Sequence, residues 1–190
     1  TVIVTGLKDK TDADLSELKT DSVTADLTAD TVFSGKLGTT VVTIADGKKL
    51  TSTAEKLSGK SIIEKENEDA IVVVTDLHLD VDADLSGVVI DSVTADLTAD
   101  TVFTGDLGTT VVTVADDVTL SAAANVLVDH KIDKSSTGKK NGKLEVTLTK
   151  DDTAAKDEAA DLTKITGTVD IASITVTNDM TFTGVLHGTV

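Results

Sequence analysis

The side chains in this chain best suited to chemistry are carboxylates near turns. Of its 190 residues 33 are acidic, and 26 of those are Asp. Asp favours turns, and in groups it supplies the oxygens, about six to eight of them, that calcium takes. Three sets persist at equivalent places along the chain. They are Asp30, Asp100 and Asp179, then Asp14, Asp84 and Asp161, with Asp46 and Asp116 next. We read these eight as candidate calcium ligands, beside the alternative that each accepts backbone hydrogen bonds in a turn. Asp26 and Asp96 fall away because Thr175 takes their place in a third copy. The run from Asp80 to Asp84 has the D-x-D-x-D start of an EF-hand loop. However, Leu85 stands where the turn Gly is needed, and Lys10 replaces the first Asp in the earlier copy. Val81, Ala83 and Leu85 are therefore expected to point inward and the Asp side chains to water.

Other chemistries find little support. There is no Cys, which removes thiol catalysis and Cys-ligated zinc. His78, His130 and His187 sit at unrelated offsets, with no H-x-x-x-H or H-E-x-x-H spacing. No G-x-S-x-G elbow occurs, and the three Phe without Trp or Tyr give paired carboxylates no platform for a sugar. Ala54 to Ser61 imitates a phosphate-binding loop with Ala at the first Gly, but Ile62 and Ile63 after it read as strand rather than helix. We expect no enzyme, no catalytic residues and no organic cofactor. A formal charge of −16 opposes binding to nucleic acid or to an anionic membrane. No apolar run approaches the roughly 18 to 20 residues that would insert into a bilayer.

A repeat must position these groups. The 13 residues from Asp21 to Phe33 return unchanged as Asp91 to Phe103, and 28 of 35 positions agree between residues 12–46 and 82–116. A diverged third copy carries Ala160 to Thr163 and Asp170 to Leu186. We divide the chain into repeat 1 (1–70), repeat 2 (71–146) and a truncated repeat 3 (147–190). Within the copies Val93, Ala95 and Leu97 alternate with polar residues, and the third copy has Ala172, Ile174 and Val176 there. That period of two is a strand with one apolar face, and it continues through Phe103, Gly105 and Leu107. Val41 to Ile44, Ile71 to Val74 and Val111 to Val114 read as further strands. Gly38, Asp46, Gly47, Asp116 and Asp117 read as turns. Lys134 to Lys143 reads as a long loop and Asp152 to Leu162 as the best helix.

With 33 Thr and 25 Val the chain is all-β in character. One Phe per copy with Val, Leu, Ile and Ala is a thin core, suited to narrow stacked coils whose faces bury against the next rung. Spacings from Leu15 to Leu37, Ile62 and Leu85 fit three coils in each copy of about 70 residues. The expected fold is a parallel β-solenoid, with tandem Ig-like β-sandwiches as the alternative. The chain opens in a strand and stops within a copy. It reads as part of a longer polymer or of an end-to-end assembly.

The segments DSVTADLTADTVFTG and GTTVVTVADDVTLSAAANVL, in an acidic, Thr-rich and Cys-free chain, resemble repeats of large secreted bacterial surface proteins. The families are S-layer proteins and giant adhesins exported by type I systems. The resemblance covers the whole chain, although the glycine-rich calcium nonapeptide common in such proteins is absent. It implies a secreted structural role at the bacterial cell surface, calcium dependence and self-association into a filament or array. The rival expectation is an adhesin stalk or ligand-binding module that meets a host or cell-surface glycan.

Overall fold

The computed structural model describes residues 1–9, 12–18, 22–65, 69–135, 141–148 and 162–176. The chain is nearly all β, and its strands pair in parallel as the coils of a β-solenoid. Two compact units divide it. The first holds Thr1–Ala95 with Asp106–Thr110, the second Asp96–Gly105 with Val111–Val190.

In the first unit one ladder runs through β1 (Val2–Val4), β2 (Val23–Leu27), β4 (Val41–Ile44), β6 (Ile62–Glu64) and β8 (Val88–Val89). A second runs through β3 (Thr31–Val32), β5 (Lys49–Thr53), β7 (Ile71–Thr75) and β9 (Ser92–Leu97). In the second unit β10 (Thr101–Phe103), β12 (Thr119–Ala123), β14 (Lys143–Leu148) and β15 (Asp170–Val176) form one ladder, while β11 (Val111–Val114) pairs with β13 (Ile132–Lys134). All these pairs run parallel, which rules out the Ig-like sandwiches, whose sheets are antiparallel.

Inter-coil hydrogen bonds in the first unit join residues 19 to 26 apart, the coil length anticipated from the Leu and Ile spacings. Stacking in register turns the period-two alternation into internal columns. Ala25, Val42, Ile62 and Val88 lie in one, and Leu50, Val72 and Val93 in another. All are buried. In the second unit Phe103 lies opposite Ala122, so the bulkiest side chain meets one of the smallest. The same economy recurs at Phe33, where Ser52 is 3 % exposed and its hydroxyl donates to the Phe33 carbonyl at 2.7 Å.

Three expectations need correction. Val81 is 37 % exposed, whereas Ala83 and Leu85 are fully buried. Val81 lies in a turn, outside the alternating run that carries the other two inward. In the third copy the alternation slips. A register shift between Leu144 and Glu145 sets Ile171 opposite Leu144 and leaves Ala172 exposed, whereas Ile174 and Val176 keep the expected register opposite the buried Val146 and Leu148. Ile171 can bury more apolar surface than Ala172, which favours the bulge. Finally, single-turn helices α1 (Ala54–Leu57) and α2 (Ala124–Leu127) form in segments where no helix is expected. Each buries an Ala and a Leu, and in α1 the Thr53 hydroxyl caps the Lys56 amide. The helix expected from Asp152 lies outside the described residues apart from Leu162, as do residues 136–140 of the expected Lys134 to Lys143 loop, whose end residues belong to β13 and β14.

Candidate functional site

The described candidate carboxylates sit at the corners between faces, one or two to a coil. Asp30 immediately precedes β3, and its Oδ1 accepts the amide of Lys49, the first residue of β5, at 3.0 Å. Asp100 precedes β10 and accepts the amide of Thr119, the first residue of β12, at 2.8 Å. In both copies the partner is 19 residues on, so the carboxylate braces one coil against the next and not its own turn. Asp14 and Asp84 do close their own turns, accepting the amide and hydroxyl of Ser16 and Ser86 respectively. Asp46 accepts the amide of Asp69 at 3.3 Å, a further link between coils. Asp116 turns Oδ1 into the protein. Asp161 and Asp179 lie outside the described residues.

These groups are distributed rather than gathered. Among the described residues no three His, Asp or Glu side chains converge to hold a metal ion. That arrangement does not fit a calcium cage built within the described part of one chain, since calcium demands many oxygens around one point. His78 and His130 join no such group either.

A direct test separates brace from surface charge. Asp100→Ala should lower unfolding free energy by about 1–2 kcal/mol, because it removes a charge-assisted bond that ties the Thr119 amide to the preceding coil. Asp96→Thr, which copies the residue found in repeat 3, should stay within about 0.5 kcal/mol. Urea unfolding midpoints decide between them.

Electrostatics differ between copies at one corner. Hydrogen bonds from Ser16, with Lys36 beside it, hold the Asp14 carboxyl at about 2. Lys36 approaches Asp14 at 3.1 Å and its backbone bridges the same residue. In the second copy Asp106 occupies the place of Lys36, so only the Ser86 bonds hold Asp84 below the usual carboxylate range. A depressed folded pKa means that the stabilisation is complete above the unfolded value, about 4, and fades as pH falls through the folded one. Asp14→Asn should therefore flatten the loss of stability between about pH 4 and pH 2. Thermal midpoints measured against pH would show it. Asp80 behaves oppositely, its carboxyl raised by desolvation and then by the charge of Asp82.

Outward positions on the strands carry a different chemistry. In the first unit they are largely β-branched, among them Val32, Thr51, Val73 and Thr94 in one register line. In the second unit Thr113, Lys131, Asp133, Lys134, Ser135 and Thr168 line an open groove of about 580 Å³. Lys131 approaches Asp133 at 2.8 Å and lowers its carboxyl, helped by donors from Thr168. Repeat 1 has Ser61, Ile63, Glu64 and Lys65 at four of these places, so the Lys131–Asp133 pair has no counterpart there.

No protein-family model matches the chain, and no curated protein or solved structure is significantly similar to it. No helix among the described residues is long and apolar enough to cross a membrane.

Proposed function

We propose that the chain is a structural, self-associating repeat of an extracellular bacterial surface polymer, an S-layer or filament. The observation that carries this reading is the use of the carboxylates: nearly every described candidate braces backbone within or between coils, and none joins others around a reaction centre. A solenoid of duplicated coils is an extendable element, since each rung buries its face on the next and copies can be added without redesign. In this reading calcium bridges carboxylates of neighbouring chains, where two acidic surfaces would otherwise repel. The test is a calcium titration of the purified chain, with magnesium as control, following melting temperature and particle mass together. Calcium-specific growth of large particles is the expected result. Constant mass up to millimolar chain concentration, with or without calcium, would overturn it.

The groove around Asp133 favours a second reading, a stalk module that binds a cell-surface glycan. Its hydroxyl, ammonium and carboxylate groups suit a polyhydroxylated ligand, although no aromatic side chain lines it. A glycan array probed with the chain and with Thr168→Ala would support this reading if binding appeared and the variant lost it.

A further inference from the structure

We infer that the peptide joining Asn141 to Gly142 is a latent self-modification site, held unreactive by the stacking of β14 on β15. When that rung opens, the Gly142 nitrogen closes on the Asn141 side chain and converts it to aspartate or isoaspartate. Of the four Asn in the chain only Asn141 precedes Gly. With no side chain on the following residue, the attacking nitrogen is unshielded and its backbone turns readily. The other three Asn precede Glu68, Val126 and Asp179, which crowd it.

Water is the only co-reactant. The Gly142 nitrogen bonds to Asn141 Cγ and gives up its proton. The bond from Cγ to Nδ2 breaks, and Nδ2 takes up a proton and leaves as ammonia. Water then opens the cyclic imide at either carbonyl, and nothing is oxidised or reduced.

The fold opposes the closure at three points. Asn141 Nδ2 donates to Asp170 Oδ2 on the next coil at 2.9 Å, which holds the carboxamide away from its own backbone. Gly142 is buried, and a Cβ there would lie 2.6 Å from the Val114 carbonyl oxygen, so the peptide has no space in which to rotate. The amide of Lys143 is tied to the Val118 carbonyl at 2.9 Å, and Lys143 stands in register with Asp170. A reactive geometry therefore waits on local opening. The same close approach is what demands Gly at 142, so packing itself creates the reactive dipeptide.

Reaction makes the opening permanent. Isoaspartate adds a methylene to the backbone where Val114 leaves no room. The new carboxylate also faces Asp170, with Lys134 3.5 Å from that group. The methylene weighs more than the charge, because Asp170 is 64 % exposed and water screens it.

The experiment follows the mass gain of about 1 Da in the purified chain held at mildly alkaline pH, natively and in urea. Digestion at Asp separates the segment with Asn141 from that with Asn125. The expected result is gain at Asn141 that is about tenfold or more slower in the native chain than in urea. Asp170→Ala should speed the native reaction about tenfold and leave the urea rate unchanged. Asp30→Ala, which removes an inter-coil brace from the first unit, should leave both rates alone. Should Asp170→Ala melt early, Asp170→Asn, which keeps an acceptor, takes its place with a smaller acceleration. Equal native and urea rates, no gain in urea, or equal acceleration by Asp30→Ala and Asp170→Ala would overturn the inference. So would a modified chain whose β15 amides keep their full protection from hydrogen exchange.

Discussion

Replacing Gly108 by Ala is expected to cost about 3 kcal/mol or more, while Gly47→Asp costs about 1 kcal/mol or less. Both glycines have positive φ, +56° and +60°. Their surroundings decide the difference. A Cβ on Gly108 would lie 2.4 Å from the carbonyl oxygen of Leu85 and 2.9 Å from its carbon, one coil away, where only backbone can yield. That carbonyl also accepts the amide of Val88, so pushing it aside breaks the turn leading into β8. Left-handed strain of about 1–2 kcal/mol adds to an overpacking cost of about 1–3. A Cβ on Gly47 meets nothing within 4 Å, and the second copy already has Asp117 there, at φ 60°. The copies have thus run part of this experiment. Gly38 and Gly108, both backed by the neighbouring coil, remain Gly, whereas the unobstructed Gly47 and Gly59 have become Asp117 and Asp129. Chemical denaturation of the two variants, with circular dichroism to confirm parallel β content, would measure the contrast. Equal losses at the two positions would show that φ alone, and not the approach of the next coil, fixes the glycine.

How much of this was readable in advance depends on whether a feature is local. The alternation at Val23, Ala25 and Leu27 needs only the period of a strand, and it holds in the fold with all three side chains buried. Coil length was recoverable because duplication exposes recurring Leu and Ile positions. The role of Asp30 was half visible. Its persistence marked it as more than a surface charge, but its partner, the Lys49 amide, can be named only once the coil returns beside it. Strand β5 escaped notice for a similar reason. Leu50 is its one large inward residue, and the next inward position is Ser52, polar by composition yet buried because a coil beside Phe33 has no room for more. Helices α1 and α2 are four residues long, too short for a 3.6-residue period to register. The described candidate ligands lie at separate corners, and spacing along a chain does not say at which corner of which coil a side chain emerges.

Phe103→Ala is expected to be the most damaging of the core truncations, at about 3–5 kcal/mol. Phe103 is 1 % exposed and is one of only three Phe in the chain, which has no Trp or Tyr. A solenoid coil is narrow, so no second layer of side chains stands behind the ring to collapse into the space it leaves. The register makes matters worse, because the residue opposite on β12 is Ala122, whose methyl cannot reach across. The loss therefore combines the transfer free energy of the ring with a largely unrelaxed cavity. Val102→Ala, one residue away, removes a side chain that is 66 % exposed and should change stability by no more than about 0.5 kcal/mol. Parity alone separates the two outcomes. Hydrogen exchange adds a spatial reading, since protection should fall first in the amides of β10 and β12, which the ring clamps together. A Phe103→Ala chain that unfolds within about 1 kcal/mol of the native one would mean that the coils are held by their ladders and corner carboxylates, and that the thin apolar column matters less than its burial suggests.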